Sequence, residues 1–448
     1  MVEIVVNDLL ANGQAVGRAD GVVVFVWGPL PGERVRVRIV ECKARYVLAE
    51  LVETLTVSPD RVEPFCGVFG TCGGCQIQHL AYPAQLRWKQ AVVRAALERI
   101  GSLALPEIQA TVGMEHPRAY RNKMALVVSH EGAKPELGFY QARSHELVPI
   151  DDCPIVTAPL QADLHQFRQL LHEPAGQALF ADVAHVVVRR TRQDESGVIA
   201  LTTAHPSKAV ARGAELLQQR CKRLLGVSNS FDLASANVIL GRGNRVVVGT
   251  DQLEEEVGEL RFRVSVQSFF QVNVAMVEQI FARLRGRIQP GLRIIDLYCG
   301  AGTFAVLFAK LGAQVIGFEE NARAIDEAHE NAQLNGVAER SSFVVGRVET
   351  LVRGAIGQKA LANSDIAFLD PPRKGSDEVT LRAIIASPVR EIWYLSCNPA
   401  TLARDCALLA TGGFVLEYVQ PFDMFPQTGH VEVLTTLKRT QGSSEASA

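Results

Sequence analysis

Cys397 ends an apolar run, "REIWYLS", and is followed directly by Asn-Pro. The run is typical of a buried strand in a parallel sheet, and such sheets place their ligands at the carboxyl ends of their strands. A thiolate there can act as a nucleophile, and the N-terminus of an adjacent helix would lower its pKa. The sequence therefore predicts covalent chemistry at Cys397, with a buried packing cysteine as the alternative.

A second chemical pattern is "IIDLYCGAGTFA", which combines a strand, a turn at Gly300 and Gly302, and the start of a helix. Glu319 ends the next strand about 20 residues on, where an acid accepts hydrogen bonds from ribose hydroxyls. A later strand ends in "DPPRKG", which begins at Asp370. A nicotinamide dinucleotide site has no need of a rigid Asp-Pro-Pro there. The set therefore indicates an S-adenosylmethionine methyltransferase, whose glycines let the backbone approach the methionine and ribose.

The methyl acceptor can be inferred from the thiol. A pyrimidine C5 is a poor nucleophile toward a methyl sulfonium, but addition of a thiolate to C6 makes C5 nucleophilic. Loss of the C5 proton and elimination of the thiol then restore the ring. Enzymes that methylate amines usually follow Asp-Pro-Pro with an aromatic residue that stacks on the base, whereas Arg373 follows here. A cysteine beside the methyl donor therefore favours methylation of pyrimidine carbon.

Four further cysteines indicate a metal cofactor. Cys66, Cys72 and Cys75 are spaced C-x5-C-x2-C in a glycine-rich loop, and Cys153 stands alone in "DDCPI". Zinc sites more often pair two short C-x-x-C knuckles, so three thiols plus a remote one favour an iron–sulfur cluster. The chain has nine cysteines and no secretion signal, which disfavours a disulfide framework. Buried free cysteines are the alternative.

The elements that must position these residues change character along the chain. Short alternating strands predict a small OB-like β-barrel, and the middle of the chain predicts a mixed α+β domain. The last part alternates strictly between β and α up to residue 438, which is typical of a doubly wound, Rossmann-like parallel sheet. The predicted boundaries are 1–58 for the barrel, 59–260 for the middle domain, which includes a helix at 83–100, and 261–440 for the Rossmann-like domain. Residues 441–448 are predicted to be a disordered tail.

Composition limits the class of protein. Hydrophobic residues make up 48% and charged residues 21% of the chain, which excludes a disordered protein. No apolar run approaches the roughly 20 residues that span a bilayer, so we expect a cytoplasmic protein without membrane contact.

Charge limits how the chain can bind a polyanion. The net charge of −2 and the slight acidic excess of the barrel argue against nucleic-acid binding through bulk positive charge. Local basic residues of the middle domain could contact an RNA backbone instead: Arg118, Arg121, Lys123, Arg143, Arg189 and Arg190.

Five motifs occur in the order found in the RNA uracil-C5 methyltransferases: "SFFQVN", "DLYCGAGTF", "DPPRKG", "YLSCNP" and "TGHVE". Over nearly its whole length the chain resembles the iron–sulfur-bearing type that acts on 23S ribosomal RNA, with a barrel similar to a TRAM domain. The resemblance implies that a monomer binds RNA, that Cys397 is the nucleophile, and that Glu432 is the base that removes the C5 proton. It implies a [4Fe–4S] cluster on Cys66, Cys72, Cys75 and Cys153. It also implies cofactor-site positions at Gln271, Tyr298, Gly300, Gly302, Thr303, Glu319 and Asp370.

Four alternatives differ in substrate or activity. A transfer RNA uridine methyltransferase would use the same chemistry on another RNA. A DNA cytosine-C5 methyltransferase typically carries its cysteine after a proline on the loop of the fourth strand, whereas Cys397 precedes Asn-Pro one strand later. A purine N-methyltransferase would stay active as Cys397→Ser. An RNA-binding protein with a decayed methyltransferase domain would fail to bind S-adenosylmethionine.

Overall fold

The computed structural model describes residues 1–132, 135–234 and 238–440. The predicted disordered tail, 441–448, lies outside them. Within the described residues there are four hydrophobic cores. One fills the barrel, one lies on the sheet of the middle domain, and two lie on the sheet of the Rossmann-like catalytic domain. In the part of the chain described, no helix is long and apolar enough to span a bilayer.

The N-terminal barrel is closed, as predicted. Its five strands are β1 (Val2–Leu9), β2 (Gln14–Ala19), β3 (Val22–Trp27), β4 (Arg34–Cys42) and β5 (Tyr46–Thr56), joined in the order β1-β2-β3-β5-β4. Alternation of apolar and polar residues lets each strand fill the barrel from one side. The arginines of β4 are paired with acids of the barrel: Arg34 and Arg36 with Glu3, Arg36 also with Glu53, and Arg38 with Glu50.

Helix α1 (Tyr82–Arg99) follows the cysteine-rich loop. Its buried residues Val93 and Leu97 enter the same core as Ala403 and Leu409 of the catalytic domain. The helix therefore packs on the catalytic domain although it precedes the central domain in sequence.

The central domain is a seven-stranded mixed sheet with helices on it. The strands are β6 (Lys123–Ser129), β7 (Glu136–Tyr140), β8 (Leu147–Pro149), β9 (Val183–Arg190), β10 (Gly197–Thr203), β11 (Leu224–Phe231) and β12 (Gly243–Gly249), in the order β12-β11-β10-β9-β6-β7-β8. The helices are α2 (Ala158–Leu171), α3 (Pro174–Phe180) and α4 (Lys208–Arg220). The mixed α+β prediction is confirmed.

A hairpin, β13 (Gln252–Val257) and β14 (Leu260–Ser265), connects this domain to the catalytic one. Its apolar residues Leu253 and Phe262 belong to the core that contains helix α5 (Val274–Arg285). The catalytic core therefore begins ahead of residue 261.

The catalytic sheet contains β15 (Arg293–Leu297), β16 (Gln314–Glu319), β17 (Ser341–Val345), β18 (Ile366–Leu369), β19 (Glu391–Ser396), β20 (Phe414–Phe422) and β21 (Glu432–Arg439). Its helices are α6 (Thr303–Lys310), α7 (Ala322–Leu334), α8 (Val348–Leu351), α9 (Ala355–Ala362), α10 (Glu378–Ile385) and α11 (Pro399–Thr411). The strand order is β17-β16-β15-β18-β19-β21-β20, and the first five strands are parallel.

The end of the chain departs from the predicted strict alternation. Strand β21 follows β20 without a helix and lies between β19 and β20, antiparallel to both. The intervening "DMFPQTGHV" contains proline and glycine and lacks helical periodicity, so it crosses back as an irregular segment.

Candidate active site and cysteine loop

Cys397 lies at the junction of β19 and α11. The side chain of Asn398 caps α11 by accepting a hydrogen bond from the amide of Ala400 at 3.1 Å. The same side chain donates to the carbonyl of Arg373 at 3.0 Å, which ties the junction to the "DPPRKG" loop. The thiol is partly exposed at this edge of the sheet.

Glu432 is brought to the same edge by β21. The register pairs Ser396 with Val433, so the residues next to Cys397 and Glu432 lie opposite one another on adjacent strands. The Glu432 side chain is only 3% exposed. The structure therefore places the predicted nucleophile and the predicted base side by side.

The environment of the thiol differs from the prediction. Burial, followed by the charges of Glu432 and Asp370, raises the pKa of Cys397 to about 11, and Arg373 opposes this rise. The predicted lowering of this pKa is wrong for the free protein, because burial and two neighbouring carboxyl groups disfavour the thiolate. The resting thiol is therefore protonated at neutral pH.

Two carboxyl groups share this edge. Burial raises the pKa of Glu432 well above its usual range, and the neighbouring Asp370 raises it further while Arg373 lowers it. Burial also raises the pKa of Asp370. Two acids this close resist simultaneous ionisation, so a cation bound between them would stabilise both carboxylates.

Arg373 was not assigned a site role from the sequence. Its guanidinium lies 3.4 Å from Nε2 of His430, and its charge acts on both Cys397 and Glu432. Burial and Arg373 lower the pKa of His430 to about 4, so this imidazole is neutral at physiological pH. The signal available was a charged residue immediately after Asp-Pro-Pro, where amine-methylating enzymes carry an aromatic one.

The glycine turn after β15 forms as predicted. Gly300 and Gly302 have φ angles of 53° and 80°, a region that favours glycine. The amide of Gly300 donates to Oε2 of Glu319 at 3.2 Å, so the turn and the acid of β16 meet. Tyr298, at φ 69°, places its hydroxyl 3.1 Å from Oγ of Ser376 beside the "DPPRKG" loop.

Asp296 is a further acid of this pocket that sequence analysis missed. It lies inside β15, and neither of its carboxyl oxygens has a hydrogen-bond partner among the described residues. Burial and the neighbouring Asp370 and Glu319 raise its pKa well above the usual range. The sequence feature that could have identified Asp296 is a charged residue in an otherwise apolar buried strand.

Thr303 and Gln271 complete the predicted cofactor positions. Thr303 is the first residue of α6, and Gln271 is half-buried in the segment before α5. In the same segment the ring of Phe269 is 78% exposed, which is unusual for an aromatic side chain beside a buried site. Asn273 ends the segment by capping α5, and its side chain also donates to the carbonyl of Met424 at 3.0 Å.

The cysteine loop brings the remote thiol to the three sequential ones. The pKa of Cys75 is raised to about 12 by burial, with added contributions from Cys153, Cys72 and Cys66. The pKa of Cys153 is raised to about 11 by burial, with contributions from Cys72 and Cys66. All four thiols therefore share one neighbourhood, although no group of three or more His, Cys, Asp or Glu in the described ranges could hold a metal ion.

The six basic residues named from the sequence differ in exposure. Arg121 and Lys123 are partly buried and donate to backbone carbonyls. Arg189 and Arg190 are buried: Arg189 donates to the carbonyl of Phe270 at 3.0 Å, and Arg190 pairs with the buried Asp163. Neither can contact an RNA backbone, so that part of the prediction is wrong. Arg118 and Arg143 are exposed, with guanidinium carbons 3.8 and 4.2 Å from the centroids of the Phe65 and Trp27 rings.

Two protein-family models match different parts of the chain. A model described as tRNA (uracil-5-)-methyltransferase matches residues 214–440, and a TRAM domain model matches residues 1–52.

Several curated relatives match the chain along nearly its full length. An uncharacterized RNA methyltransferase of Halalkalibacterium halodurans is 35% identical, covering 98% of this chain and 97% of the relative. Another, of Thermosynechococcus vestitus, is 36% identical, covering 97% of both chains.

A solved structure has the same fold. The Pyrococcus abyssi tRNA (uracil-54, C5)-methyltransferase, in complex with S-adenosyl-L-homocysteine, superimposes with a TM-score of 0.77 and 24% identity, over 97% of this chain and 100% of that one.

Proposed function

Since the chain belongs to the tRNA (uracil-5-)-methyltransferase family, we propose that it methylates C5 of a uridine in 23S ribosomal RNA through a covalent adduct on Cys397. The chain is an S-adenosylmethionine-dependent RNA methyltransferase with an N-terminal TRAM domain. One observation supports the covalent route above the others. A thiol and a buried carboxyl group lie on the adjacent strands β19 and β21, beside Asp370 at the end of β18.

The residues divide the reaction between them. The Cys397 thiolate adds to C6 of the uracil, and the electron pair of the C5–C6 double bond moves toward the C4 carbonyl. C5 then forms a bond to the methyl carbon, and the sulfonium leaves as a neutral thioether. Glu432 takes the C5 proton, and the C6–S bond breaks to restore the double bond and release the thiolate.

The cofactor pocket fits S-adenosylmethionine. A Cβ at Gly300 would have no neighbouring heavy atom within 4 Å, so the glycine turn borders open space in which a cofactor could lie. Glu319 would accept from the ribose hydroxyls, and Asp296 supplies buried carboxyl oxygens in need of a partner. When bound, the cofactor supplies a methyl group on a sulfonium cation, and its charge would stabilise the carboxylates of Asp370 and Glu432.

The target base must leave its stack to reach the thiol. A uracil stacked in RNA hides C6, so we expect the uridine to be flipped into the site. The exposed ring of Phe269 offers a surface on which a base can stack. The barrel contributes little through charge, because its β4 arginines are paired with glutamates.

The preference for 23S ribosomal RNA rests on the four-cysteine pattern, which the resemblance links to enzymes of that type. Transfer RNA is the second candidate, since the Pyrococcus abyssi enzyme of the same fold acts on a tRNA uracil by its name. Mass mapping of 5-methyluridine in both RNAs, from strains with and without the gene, decides between them. Loss of one ribosomal 5-methyluridine is expected, and loss confined to transfer RNA would contradict the ribosomal assignment.

We further propose that Cys66, Cys72, Cys75 and Cys153 hold a [4Fe–4S] cluster. In such a cluster each thiolate binds a different iron, so its four sulfurs lie farther apart than the ligands of a single ion. The shared neighbourhood of the four thiols supports this proposal. Protein purified without oxygen should contain about four iron and four sulfide per chain, whereas colourless protein with stoichiometric zinc would contradict the cluster.

A further inference from the structure

The segment between β20 and Glu432, residues 423–431, is largely buried without being a helix or a strand. We refer to it as the base segment. Gln427 within it has a φ of 71°, a left-handed conformation that a residue other than glycine seldom adopts. A Cβ at Gly429 would lie 1.7 Å from the carbonyl oxygen of Ala11 in the barrel. The path of the base segment is therefore set by what surrounds it.

Gln85 of helix α1 binds both the backbone and the side chain of Gln427. Its Nε2 donates to Oε1 of Gln427 at 2.9 Å, and its Oε1 accepts from the amide of Gln427 at 3.2 Å. The same Nε2 lies 3.1 Å from the carbonyl oxygen of Ile77 and 2.8 Å from that of Leu80, at the end of the cysteine loop. Gln85 is 1% exposed, so these bonds do not compete with bulk water.

Other side chains fix the start of the base segment. Lys89, one turn further along α1, pairs with Asp423 while both side chains are fully buried, and it donates to the carbonyl of Phe425 at 3.2 Å. The Tyr120 hydroxyl of the central domain donates to the carbonyl of Pro426 at 3.1 Å. These contacts precede the left-handed residue. At Gln427 itself, the carbonyl accepts from the amides of Gln76 and Ile77, both at 3.1 Å, and Gln85 supplies the side chain that binds its backbone amide.

We infer that Gln85 is a positioning residue for proton removal: it holds Gln427 in the left-handed conformation and so directs the chain that carries His430 and Glu432 toward Cys397. The inference rests on the proposed role of Glu432 as the base. Addition of the thiol depends on the β19–α11 junction, and none of the Gln85 hydrogen bonds described above reaches that junction. Loss of Gln85 should therefore slow proton removal while leaving the covalent addition intact.

The test uses the full-length holoenzyme as Gln85→Met, which keeps side-chain length and removes the amide. A matched control is Gln90→Met on the same helix, whose amide donates to the carbonyls of Ile108 at 2.9 Å and Gln109 at 3.1 Å, away from the base segment. Turnover of uridine RNA at saturation should fall about 10- to 100-fold in Gln85→Met, the scale of a small misplacement of a catalytic group. The KM for RNA should stay within about threefold, which is under 1 kcal/mol.

A 5-fluorouridine substrate separates the two stages, because fluorine cannot leave C5 as a cation and the reaction stops at the methylated adduct. Adduct formation in Gln85→Met should keep the wild-type rate while uridine turnover falls. An equal fall in both rates would show general structural support, and an unchanged turnover would show no role; either result overturns the inference. Failure of Glu432→Gln to stall would instead contradict the proposed function.

A second pair of variants serves if Gln85→Met does not fold. Gln427→Gly can adopt the left-handed conformation without strain, whereas Gln427→Ala cannot. Alanine should therefore lower uridine turnover more than glycine does, with adduct formation on 5-fluorouridine unchanged in both. Equal turnover in the two variants would overturn the inference.

Discussion

The sheet edge that holds Cys397 and Glu432, here called the catalytic edge, and the cysteine loop both contain partly buried thiols, yet the neighbours of these thiols differ. Burial is the largest cause of the raised pKa at both Cys397 and Cys75. At Cys397 the next contributions come from carboxyl groups, with an arginine opposing them. At Cys75 several of the contributions that raise the pKa come from other cysteines. Burial alone therefore does not distinguish a nucleophile from a metal ligand, whereas the set of charged neighbours does.

The two regions also differ in how the backbone supports the thiol. Cys397 sits between a fully paired strand and a capped helix, so its position follows from regular structure. The cysteine loop has few regular hydrogen bonds; the amide of Gly73 donates to the carbonyl of Tyr140 at 3.0 Å, and Cys72 bridges to Gln141. We therefore expect the proposed cluster to stabilise the cysteine loop, whereas the catalytic edge is ordered by its sheet.

The largest effect is expected from removing the thiol of the catalytic edge. Cys397→Ala cannot add to C6, so turnover should fall by at least about 10⁴-fold, the scale seen when a covalent nucleophile is lost. The variant should still bind S-adenosylmethionine and RNA, and it should form no adduct with 5-fluorouridine RNA on denaturing electrophoresis. Cys406→Ala, a fully buried thiol of α11, is the control and should retain adduct formation. An adduct in Cys397→Ala would refute the assignment.

Removing the base should stop the same reaction at a later stage. In Glu432→Gln the thiol can still add to C6, and C5 can still accept the methyl group. The variant cannot take the C5 proton, so turnover should fall about 10²- to 10⁴-fold. A methylated RNA–protein adduct should accumulate on ordinary uridine RNA and be visible by electrophoresis and mass spectrometry. Slow turnover without any adduct would mean that Glu432 acts before the thiol adds.

The pH dependence tests the charged neighbours of Cys397. Because the reactive forms are the thiolate and the carboxylate, and the pKa values of both Cys397 and Glu432 are raised, activity should increase with pH. Below a pKa of about 11 the thiolate fraction grows about tenfold per pH unit, so kcat/KM should rise at about that rate from pH 7 to 9. A flat profile over this range, at subsaturating RNA, would show that the pKa of Cys397 is not raised in the free enzyme.

The smallest effect on turnover is expected from the cysteine loop. Cys75→Ser should lose iron and sulfide and melt at a lower temperature, while turnover per folded chain falls about tenfold or less, because methyl transfer needs no electron. Cys221→Ser alters another buried thiol outside the loop and should keep its iron. Iron analysis, thermal melting and single-turnover rates check the three expectations. Full iron content in Cys75→Ser would remove that thiol from the ligand set.

Much of the fold was predictable because it depends on local residue patterns. The barrel follows from period-two alternation, and the parallel sheet follows from apolar runs separated by helical segments. The antiparallel β21 was not predicted, because which strands pair depends on distant partners rather than on any pattern within residues 432–439. The same limit explains the wrong expectation for Arg189 and Arg190. They are consecutive residues at the end of β9, and nothing local showed that both faces of this strand are covered.

The sequence by itself determined which chemical groups stand at strand ends: Cys397, the glycine turn at Gly300 and Gly302, and Asp370. These depend on neighbours within a few residues, where backbone preferences act directly. Only the tertiary structure decided that Glu432 lies beside Cys397, since insertion of β21 between β19 and β20 joins residues distant along the chain. It also decided the raised pKa of the thiol, because burial and opposing charges come from elements that the local sequence does not specify.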